Sequence, residues 1–159
     1  MRKCLLLLAT AVMMGACVTL TPEQKAQLAQ MVNKALDKRH YTIDIRTMTP
    51  NRGATKNVTS NWSLEVRGDT LISYLPYVGR AYNVPYGGGN GMNFTAPIKK
   101  YQDTKGKKDD RLIVIEIDND NDTYTFSLEV FDNGRTDIDV QSREREFISY
   151  SGEMVMKGK

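Results

Sequence analysis

From Tyr41 onward, apolar side chains recur at every second position in short runs divided by turn residues. A β-strand points successive side chains to opposite faces, so this period marks strands with one buried face. Tyr41, Ile43 and Ile45 alternate with polar residues, as do Trp62, Leu64 and Val66, and then Tyr124, Phe126, Leu128 and Val130 within 123–131. Gly68-Asp69 predicts a tight turn joining the Trp62 run to a strand over 70–75. Asn133-Gly134 is the strongest short hairpin signal in the chain. Residues 91–96 read as a short strand, and 111–118 as a strong one with an apolar stretch from Leu112 to Ile115. Ile138 and Val140 continue the sheet, and 147–156 supplies the last one or two strands. Residues 50–60 read as a loop, and the acidic stretch 118–122 as a turn. No βαβ pattern is present. Strands this short and evenly spaced predict an antiparallel meander. An up-and-down sheet of about eight strands must hide its edges, and closing into a barrel does so. The expected fold class is mainly β: a small antiparallel meander barrel with one N-terminal helix. The alternative is an open antiparallel sheet with the helix on one face.

That helix is announced by Thr21-Pro22-Glu23-Gln24. Thr21 can cap the N-terminus, Pro22 suits the first helical position, and Gln24 completes a capping box. Leu28, Val32 and Leu36 are spaced four apart, with Ala29, Met31 and Ala35 beside them. This predicts an amphipathic helix to about Lys38 that packs on the domain's own core.

The first residues have a different character. Arg2-Lys3 precedes an apolar run over 5–14, about half the length a spanning helix needs. This is the pattern of a signal peptide. Met14-Gly15-Ala16-Cys17 then matches the bacterial lipobox, with Met where Leu is preferred. The expected organisation is a lipoprotein signal peptide over 1–16, a lipidated linker over 17–21 with Cys17 as the acylated residue, and one β-rich domain over 22–159. Several acyl chains on one residue anchor durably where a single chain does not. Cys4 and Cys17 are the two cysteines, so the remaining domain has no disulfide, thiolate metal site or cysteine nucleophile.

The formal charge of +3 includes Arg2 and Lys3; without them, 20 basic residues face 19 acidic ones. A nucleic-acid partner is not expected, because such proteins carry a clustered basic excess. Lys99, Lys100, Lys105, Lys107 and Lys108 come closest to a cluster, but Asp103, Asp109 and Asp110 interrupt them, and the stretch reads as a solvated loop.

Few residues suggest chemistry. His40 is the one histidine and sits between helix and strand. A zinc site or a Ser-His-Asp triad would need partners for it that the sequence does not offer. Asp118, Asp120 and Asp122 with Glu129 resemble a calcium loop, yet Thr123 stands where that loop needs Gly. A solvated acidic hairpin is the simpler reading, and no metal or cofactor is expected. Asp137 and Asp139 should share the polar face of one strand.

The most distinctive stretch is 73–89, with four tyrosines, two prolines, four glycines and Arg80. Tyrosines offer a flat apolar face with a polar tip, and arginine clamps carboxylate or phosphate with a planar fork. Tyr74, Tyr77, Arg80, Tyr82 and Tyr86 are therefore the candidate ligand-binding residues, at a barrel mouth. The competing reading is that the stretch closes the barrel.

Leu75-Pro76-Tyr77, Gly79-Arg80-Ala81-Tyr82, Pro85-Tyr86-Gly87 and Phe94 resemble the signature of a family of Bacteroidales lipoproteins, the "domain of unknown function 4251" family. Ile148-Ser149-Tyr150-Ser151-Gly152 fits its C-terminal pattern. The resemblance covers roughly residue 35 to the end. It implies a lipocalin-like barrel in the envelope of a Bacteroidetes bacterium, and no activity. Val18-Thr19-Leu20 lacks the acidic run that sends some such lipoproteins to the cell surface, which favours an outer-membrane anchor facing the periplasm. Asp69-Thr70-Leu71 resembles the O-glycosylation pattern of those bacteria.

Three functions fit. The first is a non-catalytic envelope module binding a small hydrophobic, amphipathic or glycan ligand. The second is a structural or assembly lipoprotein docking on another envelope protein. The third is a hydrolase built on paired carboxylates, which requires two acids in a cleft, one with a raised pKa.

Overall fold

The computed structural model describes residues 20–59, 61–82, 91–107, 110–119 and 122–156. Cys17 and Tyr86 lie outside these residues, as does Asp120.

Helix α1 spans Pro22–Asp37 and starts as its sequence demands. The Thr21 side chain accepts from the Gln24 amide, and the Gln24 side chain accepts from the Thr21 amide at 2.9 Å. Val32 and Leu36 are buried, and Leu28 and Ala35 half-buried. Only two residues separate the helix from the first strand, and Arg39 makes the turn at φ 49°.

Among the described residues nine strands follow: β1 (His40–Pro50), β2 (Lys56–Asn57), β3 (Ser63–Arg67), β4 (Thr70–Pro76), β5 (Gly91–Lys105), β6 (Arg111–Asn119), β7 (Asp122–Val130), β8 (Arg135–Ser142) and β9 (Ile148–Met154). Every pairing is antiparallel. The order β1-β3-β4-β5-β6-β7-β8-β9 closes on itself through β9 and β1, giving an eight-stranded barrel with β2 outside the ring. Closure, rather than the open sheet, leaves the ring without a free edge.

The alternation seen in the sequence is the alternation of burial. Tyr124, Phe126, Leu128 and Val130 of β7 point inward, as do Ile113, Ile115 and Ile117 of β6. The apolar stretch of β6 is therefore split, and Leu112 faces out, 43% exposed. Gly68 and Gly134 adopt positive φ at the β3–β4 and β7–β8 turns. The second loop carries three residues between the bonded pair Phe131 and Arg135, with Gly134 in the left-handed position.

Three expectations need correction. The strand predicted over 91–96 runs on to Lys105, so Lys99, Lys100 and Lys105 lie on a strand and not in a loop. A bulge between Ile98 and Lys100 bends β5, so that its first part pairs with β4 and its second with β6. The bend interrupts the period of two, which is why the sequence conceals the continuation. Residues 50–60 contain β2, too short to alternate. Trp62 precedes β3 rather than starting it. The stretch 147–156 supplies one strand, β9, within the one or two expected.

The barrel has two unlike ends. Helix α1 covers the end where β1 begins and β9 finishes. Arg111 fastens it there, donating to Asn33 at 3.1 Å and pairing with Asp37 at 3.0 Å and with Asp103. The other end collects the chain after β4 and the connection between β8 and β9. β7 separates the two by about 27 Å of strand.

Candidate functional site at the far end of the barrel

The far end is built from two segments that pair outside the barrel wall. After β4, residues 80–82 run antiparallel to residues 144–146. The Tyr82 amide donates to the Glu144 carbonyl at 2.8 Å, and the Glu146 amide to the Arg80 carbonyl at 3.0 Å. Ala81 and Arg145 form the bridge between them. Asp122 positions the second segment from the start of β7. Its carboxylate accepts from the Arg143 and Glu144 amides, each at 3.1 Å, and from the Ser142 hydroxyl.

Tyr77 and Tyr150 tie this annex to the barrel. The Tyr77 hydroxyl lies 2.8 Å from the Arg80 carbonyl and 3.2 Å from that of Glu146, so one proton serves two acceptors. The Tyr150 hydroxyl donates to the Pro76 carbonyl at 2.6 Å. Phe94 packs on Tyr124, with centroids 4.9 Å apart, and on Phe126 beneath.

Arg145 lies half-buried among these rings. Its guanidinium is 5.0 Å from the Tyr77 ring centroid and acts electrostatically on the hydroxyls of Tyr77, Tyr124 and Tyr150. Burial pushes all three phenols up, Tyr124 to about 12, while the nearby Arg145 cation pulls each of them down. Among the described residues no carboxylate pairs with Arg145 within 4 Å, although its neighbours Arg143 and Glu144 pair with each other at 3.0 Å. A cation among aromatic faces and hydroxyls can receive an anionic group without first breaking an ion pair.

The residues singled out by sequence divide between framework and surface. Tyr77 is framework. Tyr74 lies on the outer wall, stacked on Trp62 at 4.5 Å and 45% exposed. Tyr82 is 68% exposed and Val78 40%. Arg80 contributes its backbone to the annex, and its guanidinium forms no ion pair among the described residues. The described part of the stretch thus helps close the barrel and presents the rings of Tyr74 and Tyr82 to solvent. Sequence reasoning missed Arg145, Tyr124 and Tyr150. Arg145 sits in the run Arg143-Glu144-Arg145-Glu146, which reads as solvated charge, and only the annex pairing turns it inward.

The remaining candidates lie elsewhere and apart. His40 is exposed at the start of β1. Asp118 pairs with Lys99 at 2.7 Å, whereas Asp122 serves the annex. Lys100 pairs with Glu116 at 3.0 Å. Among the described residues no three His, Cys, Asp or Glu side chains are grouped so that they could hold a metal ion. Asp137 and Asp139 share the outer face of β8, as their spacing predicts, beside Glu129 in a shallow depression. Burial pushes Asp137 up, but the Ser151 hydroxyl and Arg135 outweigh it and hold it below the ordinary carboxylate range. The Lys99 ammonium lowers Asp118 likewise. Neither is the raised acid that general-acid hydrolysis requires.

Comparison with known proteins gives the same architecture. A crystal structure of a DUF4251 family protein from Bacteroides eggerthii superposes with a TM-score of 0.63 at 16% identity, covering 83% of this chain and 91% of that one. No curated protein matches. The family model described as "Domain of unknown function (DUF4251)" matches residues 23–154, from the first turn of α1 to the last residue of β9. The chain belongs to the DUF4251 family.

Proposed function

We propose that this chain is a lipid-anchored, non-catalytic binding module of the cell envelope, and that its ligand carries an anionic group. Arg145 receives the anion beside the ring of Tyr77. The apolar or sugar portion lies over the exposed rings of Tyr82 and Tyr74. The observation that carries this reading is the half-buried Arg145 guanidinium with no carboxylate partner among the described residues. A buried charge is costly unless it is matched, and a ligand anion would match it. The packed interior supports a ligand held at the mouth rather than deep inside, because Phe126, Ile115 and Ile138 are each 0% exposed in the barrel core.

Native mass spectrometry after exposure to a detergent-free envelope extract tests it. An anionic retained mass is expected, and it should fall at least about tenfold on Arg145→Gln, the loss of one charge-assisted contact. Tyr82→Ala should weaken it less. A bare monomer mass overturns the reading.

A second reading, docking on another envelope protein, is favoured by the exposure of Val78, Tyr82 and Phe147 around the annex. A photo-crosslinker at Val78 should then yield one discrete protein adduct in intact cells.

A further inference from the structure

The end opposite Arg145 exposes a different surface. Leu20, just ahead of the cap residue Thr21, lines a groove of about 560 Å³ with Ala26, Leu28, Ala29 and Phe131, and Lys25, Asp132 and Asn133 stand at its edge. Cys17 lies three residues upstream of Leu20. Three residues span at most about 10 Å even when fully extended. If Cys17 is acylated at a bilayer, the groove and the first turns of α1 are held within about that distance of the headgroups.

What α1 presents at this end suits such a position. Met31 is 45% exposed, as is Leu20. Lys34 and Lys38 follow Met31 at three and seven residues, on the same solvent-facing stripe of the helix. Lys105 and Lys107 extend from the β5–β6 turn, which meets α1 at a second groove lined by Asn33, Gly106 and Arg111 together with Asp110 and Asp132. Among the described residues none of Lys25, Lys34, Lys38, Lys105 and Lys107 has a carboxylate within 4 Å. Exposed apolar side chains among solvent-facing lysines complement the interface of an anionic bilayer, where the apolar groups enter the headgroup layer and the ammonium groups meet phosphates.

We infer that the helix end of the barrel is a membrane-contact surface, seated by Leu20, Met31 and the lysines of α1 on anionic phospholipid, so that Arg145 and Tyr82 face away from the bilayer. The inference rests on the reading of Cys17 as the acylated residue.

Trp62 is the only tryptophan, and it lies on the far half of the barrel wall beside Tyr74. The full acylated chain is reconstituted into vesicles of phosphatidylethanolamine and phosphatidylglycerol that contain headgroup-spin-labelled lipid. Trp62 should remain unquenched. A tryptophan moved to the helix face, Met31→Trp with Trp62→Phe, should be quenched several-fold more. Adding Lys34→Glu and Lys38→Glu should reverse much of that quenching, since each lysine near an anionic surface is worth roughly a fivefold change in affinity. If mass spectrometry shows acyl chains on Cys17 and position 31 is still unquenched, the contact surface is disproved while the anchor stands. Stronger quenching of Trp62 than of position 31 reverses the orientation and also disproves it. A chain without acyl mass removes the anchor and the inference together.

Discussion

Gly152 shows how much can rest on a missing side chain. It sits on β9 opposite the bulge in β1 between Ile45 and Thr47, and a Cβ there would overlap the Asp44 carbonyl oxygen and crowd Ile43. The obstacle is backbone, which cannot rotate aside. Gly152→Ala should therefore cost about 2–3 kcal/mol in urea unfolding, at the upper range of overpacking effects. A loss under about 0.5 kcal/mol would mean that the β1–β9 seam yields easily. The sequence contains this glycine within Ile148-Ser149-Tyr150-Ser151-Gly152 but does not reveal its task, because the oxygen it avoids lies more than a hundred positions away. Arg145 is hidden for the same reason. Its identity is visible, whereas its isolation from carboxylates depends on Glu144 pairing with Arg143 and Glu146 turning to the Arg80 amide. Tyr74, Tyr77, Arg80 and Tyr82 are legible as a group because they are neighbours in the chain, though Tyr77 is half-buried framework while Tyr74, Arg80 and Tyr82 are exposed.

Among the elements, those with a clean local signal were legible and those governed by distant pairing were not. The capping box of α1 and the inward set of β7 needed no tertiary information. β5 did, because its bend exists to serve two neighbours, and lysines on its outer face carry no period. The docking of α1 likewise depends on one side chain from outside the helix. Arg111, with its side chain 14% exposed, bonds Asn33, Asp37 and Asp103 together. Its carboxylate partners raise its pKa, with Asp103 the larger cause, so it remains charged throughout the accessible pH range. Arg111→Leu leaves two carboxylates facing each other across the joint, and should cost about 2 kcal/mol of stability. Hydrogen exchange should locate the loss, with the amides of α1 opening before those of β6. Uniform loss of protection would instead show that helix and barrel unfold as one unit.

For the molecule as a whole, buried phenols lie near both ends of the barrel. Tyr41 meets the Tyr101 hydroxyl at 3.2 Å on the helix side, and Tyr124 and Tyr150 lie on the far side. Burial raises each pKa above the ordinary tyrosine value, and Tyr101 raises Tyr41 further. The protonated phenol is therefore favoured by folding. The stability this contributes is complete below about pH 10, where the unfolded tyrosines are also protonated, and is lost as the pH rises towards the folded values, about 12 for Tyr124. Thermal unfolding should give a flat Tm from pH 7 to 9 and a steep fall above about 10. Tyr41→Phe should make that fall shallower. A flat Tm up to pH 11.5 would mean that these hydroxyls reach water. The short joint between α1 and β1 has a mechanical consequence as well. Tension applied through the N-terminus passes across Lys38 and Arg39 into β1, which is bonded to β9 along most of its length and to β3 and β2 on its other side. The pull runs along the strand, so the hydrogen bonds of β1 bear it together in shear rather than parting one at a time, and the seam that closes the barrel is also the part best placed to resist being pulled open.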